Sequence, residues 1–451
     1  MVRRRTQTFR YIQPLTFLKK MHTITLIFNL HQPFRLKKYR FFDIGNDHYY
    51  YDDFENEEVI HRNNSQTYEP ANRLLLDLLQ QYPQFKVSFV LSGTLIEQLE
   101  LYAPETIRSF QKLVQTGRVD FLAAPYAHSV ASLFDEKEFE YQMRLHTRKI
   151  QSLFGVEPSV ACNTELIYND EVALTLERLG YKGVLTEGAR HILGWKSPNL
   201  LYTTASSKPL KLLLRNSLLS DKLQAAFGRY DSPDYPYTVD KLLRAVNALP
   251  ENEQSVILYM DYEVMGTIWR DATGIFDFFR ALPRMAVDAD IRFATAAETA
   301  LMPATGGTLS VQYPISIIGE AKDTAPWLGN ELQKGVQDML LKWGERVRIT
   351  RDNRLLQDWL YLQSADHLYY MSTRRELNGT FSPYESPFDA FNNYVNVFSD
   401  FLVRLETEYP SSIENEELNA LLSTIDHQNE RIKQLTAELD LLKKTGTIPT
   451  D

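Results

Sequence analysis

Thr23-Ile24-Thr25-Leu26-Ile27-Phe28-Asn29-Leu30, followed at once by His31, is a short apolar run rich in β-branched side chains that stops at a residue suited to chemistry. Such a run reads as a strand buried on both faces, the mark of a parallel sheet. Working outward, the run 85–91 ends at Ser92 and Gly93, and 119–122 leads to Tyr126 and His128. The run 159–162 delivers Asn163, Thr164 and Glu165, 182–186 delivers Glu187, and 255–260 delivers Asp261 and Glu263. In parallel α/β folds the catalytic groups gather where strands end and loops converge. The pattern therefore proposes an enzyme with two carboxylates, Glu165 and Asp261, at its mouth.

Amphipathic segments at 70–81, 136–152 and 170–179 lie between these runs, so strand and helix alternate. No strand opens into a GxGxxG turn or a GxxxxGK[ST] loop, which disfavours a nucleotide-binding sheet and favours a barrel. After a weak strand at 293–296, Pro303, Gly306 and Gly307 mark a change of organisation. Segments 328–348, 354–371 and 387–408 then carry apolar residues at helical spacing, as expected of a small bundle beside the barrel mouth. Four regions follow: an extension over 1–20, a barrel over 21–300, a helical bundle over 301–410 and a heptad helix with its tail over 411–451.

At 451 residues and 44% hydrophobic side chains the chain can bury a sizeable core. A net charge of -9 without a basic stripe makes nucleic acid an unexpected partner. The lone cysteine, Cys162, allows no internal disulfide and agrees with a cytoplasmic location. No apolar stretch has membrane-spanning length. Residues 1–20 are basic and lack the uninterrupted apolar core of a secretory signal, so they read as an upstream extension before Met21.

The strand-end residues limit the chemistry. There is no GxSxG elbow, no HExxH and no paired-cysteine spacing, and neither a metal nor another cofactor is expected, although metal ligands drawn from separate strands stay open. A carboxylate pair suits glycosidic chemistry: one acid protonates the leaving oxygen while the other attacks the anomeric carbon or activates water. His31, Tyr126, Glu263 and Trp269 flank the pair in sequence, and Trp327 offers an aromatic face that could cover the apolar side of a pyranose.

The blocks 31–36 (HisGlnProPheArgLeu), 92–98 (SerGlyThrLeuIleGluGln), 163–168 (AsnThrGluLeuIleTyr) and 261–266 (AspTyrGluValMetGly) resemble four of the regions that define glycoside hydrolase family 57. The blocks at 327–330 and 363–367 and the stretch 381–388 are similar to its helical domain. The resemblance spans 22 to about 408 and is nearest to the α-amylase type. It implies an incomplete, seven-stranded (β/α) barrel of TIM type with a helical bundle, α-glucan substrates and a retaining mechanism. Carried over position by position, Glu165 would be the nucleophile and Asp261 the general acid/base. His31, Glu97, His128, Glu263, Trp327 and Asp366 would line the site. A retaining mechanism sets the two carboxyl groups about 5 Å apart, with the acid's pKa raised.

The chain departs from the family pattern at Ala124, Pro125, Cys162, Thr267, Ile268 and the AlaAlaGlu stretch 296–298, which removes donors from the expected mouth. A 4-α-glucanotransferase, a non-catalytic glucan-binding relative and a metal-dependent carbohydrate enzyme of deacetylase or mannosidase type therefore stand as alternatives. Over 413–444, Leu418, Leu421, Ile425, Gln428, Ile432, Leu435, Leu439 and Leu442 fall on successive a and d positions. Either a homo-oligomeric coiled coil or a helix lying back on the bundle would bury that stripe.

Overall fold

Alternation of side chains along each strand decides which face of the sheet is barrel interior. In β1 (Thr23–Leu30), Ile27 points inward, whereas Ile24, Leu26, Phe28 and Leu30 pack outward against helices. The computed structural model describes residues 21–206, 209–228, 230–374 and 382–408, with scattered helical positions between 421 and 436. The extension 1–20 and most of the tail lie outside the described residues.

Seven parallel strands make the ring: β1, β2 (Val87–Leu91), β3 (Val119–Phe121), β4 (Val160–Cys162), β5 (Gly183–Glu187), β7 (Lys211–Arg215) and β8 (Ser255–Asp261). Their order is β3-β2-β1-β8-β7-β5-β4. A parallel bridge between Ala123 and Ala161 brings the two ends together, so the sheet is a nearly closed seven-stranded barrel. Two short strands sit off the ring: β6 (Tyr202–Thr203) runs antiparallel to β7, and β9 (Arg292–Phe293) pairs with β1. The interior holds Ile27, Val90, Leu122, Cys162, Leu185, Leu213, Ile257 and Tyr259.

Two local expectations change, and one unassigned run finds its place. The run Lys211-Leu212-Leu213-Leu214-Arg215, unassigned on sequence because leucine is ambiguous between helix and strand, is a ring strand. The expected strand 293–296 stops at Phe293, because Thr295 and Glu298 form a reciprocal capping box and start the helix Ala296–Ala300. That helix bonds Ser88 and Asp120, at the first turns of β2 and β3, so 296–298 closes the bottom of the barrel, away from the mouth.

Residues 301–323, expected with the helical domain, instead run back along the barrel. Thr308 bridges Thr203, Ile315 bridges Tyr168, and Leu309, Val311 and Ile315 enter the core that covers β4, β5 and β7. Helices begin at Ala325, and the long ones are Glu331–Ile349, Asn353–Leu362 and Pro387–Glu408. They share a core with barrel loops through Phe34, Tyr51, Tyr126, Val130 and Ile167, so bundle and mouth are one packed unit.

Candidate active site

Asp261 ends β8, in register with Asn29 of β1. Asn29 donates its side-chain amide to Oδ1 at 3.3 Å and Gln224 donates to Oδ2 at 3.0 Å. Gln224 is held in turn by the Trp269 indole N–H, 2.6 Å from its backbone oxygen. Gly228 packs on that indole so closely that a Cβ there would overlap the ring. Burial raises the Asp261 pKa and the charge on Glu165 raises it further, while the two amide donors oppose the shift. A carboxyl group so placed keeps its proton at higher pH than an exposed aspartate.

Glu165 follows β4 in an unusual backbone. Its φ of 50° and ψ of 32°, with φ 56° at Leu166, place both residues in the left-handed region, at a cost of order 1–3 kcal/mol each. The loop is pinned from several sides. Asn163 caps the turn, accepting from Thr164 N–H and donating to the Ile167 carbonyl; Thr164 donates to the Ser129 carbonyl, and Ile317 N–H donates to the Glu165 carbonyl at 2.9 Å. Strain kept by that many bonds orients the carboxylate.

His128, itself at φ 53°, places Nε2 3.2 Å from Glu165 Oε1. Its ring stacks on His31 with centroids 3.8 Å apart and planes within 16°. Burial and the neighbouring His128 lower the His31 pKa, so His31 is neutral near pH 7. Neutral His31 donates Nε2–H to Asp366 Oδ2 at 2.8 Å and accepts the Ser92 hydroxyl at Nδ1, also at 2.8 Å. Burial works against the Asp366 charge, yet the bonds from His31 and Ser364 prevail and hold its carboxyl well below the usual carboxylate range. A chain of contacts thus runs from the helical domain through two imidazoles to Glu165.

The remaining expected residues divide. Glu97 lies between the hydroxyls of Tyr126 and Tyr361, one on each carboxylate oxygen, so Glu97 and Tyr126 form a clamp between barrel and bundle. Glu263 accepts from Tyr68 at 2.6 Å; burial pushes its pKa up to about 7, with the Tyr68 bond opposing and the Asp261 charge adding. Trp269 acts on Asp261 through Gln224. Trp327 corrects its expectation: at 1% exposed it is packed in the bundle core and offers no open face to a sugar.

Sequence reasoning missed Asn29, Gln224, Tyr361 and Arg215. Arg215, 1% exposed, spans Glu187, Asp221 and the Tyr259 carbonyl beneath the mouth. Asn29 carried a signal, as a polar residue in an apolar strand two residues before His31. Gln224 and Tyr361 sit on helices, where nothing marks a polar residue as aimed at a site. Among the described residues no three histidine, cysteine or carboxylate side chains converge as a metal cage, and no helix is long and apolar enough to cross a membrane.

The chain matches the model of glycosyl hydrolase family 57 over residues 25–304. It is 34% identical over 396 residues, 84% of each chain, to a protein of Methanocaldococcus jannaschii described as "Putative alpha-amylase". The family 57 branching enzyme of Thermococcus kodakaraensis superposes with a TM-score of 0.65 at 12% identity, over 89% of this chain and 94% of that one. The 4-α-glucanotransferase of Thermococcus litoralis superposes with 0.54 at 15% identity, over 77% of this chain and 56% of that longer one. On the extent of these matches, the chain is a member of glycosyl hydrolase family 57.

Proposed function

We propose that the protein cleaves α-glucans by a retaining double displacement, with Glu165 as nucleophile and Asp261 as general acid/base. The observation that carries this reading is the electrostatic pairing of the two carboxyls: Glu165 contributes to keeping Asp261 protonated. Asp261 gives its proton to the glycosidic oxygen as the C1–O bond breaks, and a Glu165 oxygen bonds to C1. Asp261, now a carboxylate, then takes a proton from the acceptor, whose oxygen displaces Glu165 from C1. The His31–Asp366 pair keeps His128 against Glu165, and Asn29 and Gln224 steady the ionised form of Asp261 once its proton has left.

The same groups serve transfer as well as hydrolysis, and the fold shared with a glucanotransferase favours transfer as the second reading. Incubation with maltooligosaccharides and with glycogen, followed by sizing of the products, tests both. Hydrolysis yields shorter chains only, whereas transfer also yields chains longer than the starting material. Glu165→Gln and Asp261→Asn each lower turnover by orders of magnitude while leaving the fold intact. Near-parental activity in either variant overturns the assignment, and a silent parent protein points to a glucan-binding relative without catalysis.

A further inference from the structure

Away from the carboxylates, a groove of about 430 Å³ opens between the turn that follows β5 and the segment 310–323. His191 and Ile192 line one wall, and Gln312, Tyr313, Ile315 and Lys322 the other. Tyr313 is 81% exposed, and Trp195 stands on the next turn at 93% exposed. Two aromatic rings this open gain nothing from burial in the folded chain, and each leaves a flat apolar face to water.

One wall of the groove is bonded to the loop that carries Glu165. Ile315 exchanges both backbone hydrogen bonds with Tyr168, and two residues on, Ile317 N–H holds the Glu165 carbonyl. Lys322 donates to the Ile317 carbonyl at 2.7 Å, so the groove's wall also braces the nucleophile loop. Ile317 is four positions on from Tyr313, at most about 14 Å of chain. One wall follows the carboxyl end of β5, and the other pairs through Ile315 with Tyr168, six residues past the carboxyl end of β4, which puts the groove on the mouth side of the barrel.

We infer that this groove is an accessory subsite for the α-glucan chain, with Tyr313 as the stacking platform and His191 and Gln312 taking sugar hydroxyls. Its size falls in the range of small-ligand sites, about 300–1,000 Å³. The chemistry selects the occupant: an exposed ring flanked by uncharged and mixed-sign polar groups matches a pyranose, whose faces are apolar and whose edge is hydroxyl. The inference rests on the α-glucan function proposed above and extends it from short substrates to polymer.

The test is Tyr313→Ala, alone and with Trp195→Ala, in the full chain, assayed on glycogen and on maltotriose. The exposure of both side chains leaves the fold undisturbed, which circular dichroism verifies. The expected result is a KM for glycogen about tenfold higher, unchanged kcat, and an unchanged KM for maltotriose, with weaker retention in a glycogen-containing native gel. Parental KM and gel retention on glycogen in the double variant overturn the groove while leaving the function standing. A parent that neither cleaves nor binds any α-glucan overturns the function, and the groove with it.

Discussion

In the mechanism proposed above Asp261 must hold its proton at the pH of the reaction; burial raises its pKa most, and three neighbouring residues adjust it. Glu165 raises its pKa, whereas Asn29 and Gln224 donate hydrogen bonds that favour the carboxylate. Removing a donor raises the pKa further, so Gln224→Leu is expected to move the basic limb of the kcat/KM profile to higher pH. A limb that stays in place would show that Gln224 does not tune the acid. Glu263 makes a second test. Its folded pKa of about 7 lies above the ordinary 4.5, so its stabilising contribution is complete below about pH 4.5 and is lost as pH rises through 7. The loss amounts to roughly 3 kcal/mol. Glu263→Gln keeps the acceptor for Tyr68 without the charge, and its Tm should therefore fall less than the parent's between pH 5 and 8. Parallel Tm curves for the two proteins would contradict the shift.

At the scale of elements, the decisive feature is a break that the helical period conceals. Segment 354–371 has one continuous apolar pattern, yet it folds as Asn353–Leu362 and Ala365–Tyr370, with Ser364 extended between them. The interruption comes from docking: Ala365 N–H donates to the His128 carbonyl at 3.0 Å, and Ser129 and Ser364 form a bridge. This contact aims Asp366 at His31. Proline suits the first position of a helix, but at Ala365 it removes that N–H and pushes against His128. Ala365→Pro should accordingly cost activity far more than stability, about a hundredfold in kcat for a displacement near 1 Å. Equal losses in kcat and in folding stability would refute a positioning role. Gly93 is a similar close approach, since a Cβ there would meet the Tyr126 ring at 2.5 Å and spoil the clamp on Glu97.

For the whole molecule, the tail poses the remaining question. Leu421, Ile432 and Leu435 occupy helical positions and are 60%, 59% and 44% exposed, so at these points the heptad stripe is not covered by the bundle. A protein ending near residue 410 is therefore expected to show a lower oligomeric state by light scattering than the full chain, with unchanged specific activity. Equal monomeric masses would refute the coil. Strands and carboxylates were legible in the sequence for a local reason: a run buried on both faces must be apolar throughout, and a polar residue at its end has little to do but face the mouth. Thus Glu165, Asp261, His31 and His128 could be named in advance, and Trp327 could not be told from a sugar platform because core and platform ask for the same ring. Only the tertiary structure decided that Lys211–Arg215 joins β5 to β8 within the ring, that 301–323 returns to brace Glu165, and that Gln224 and Tyr361 reach the carboxylates. Those placements depend on contacts between residues far apart in the chain, about which local pattern carries no information.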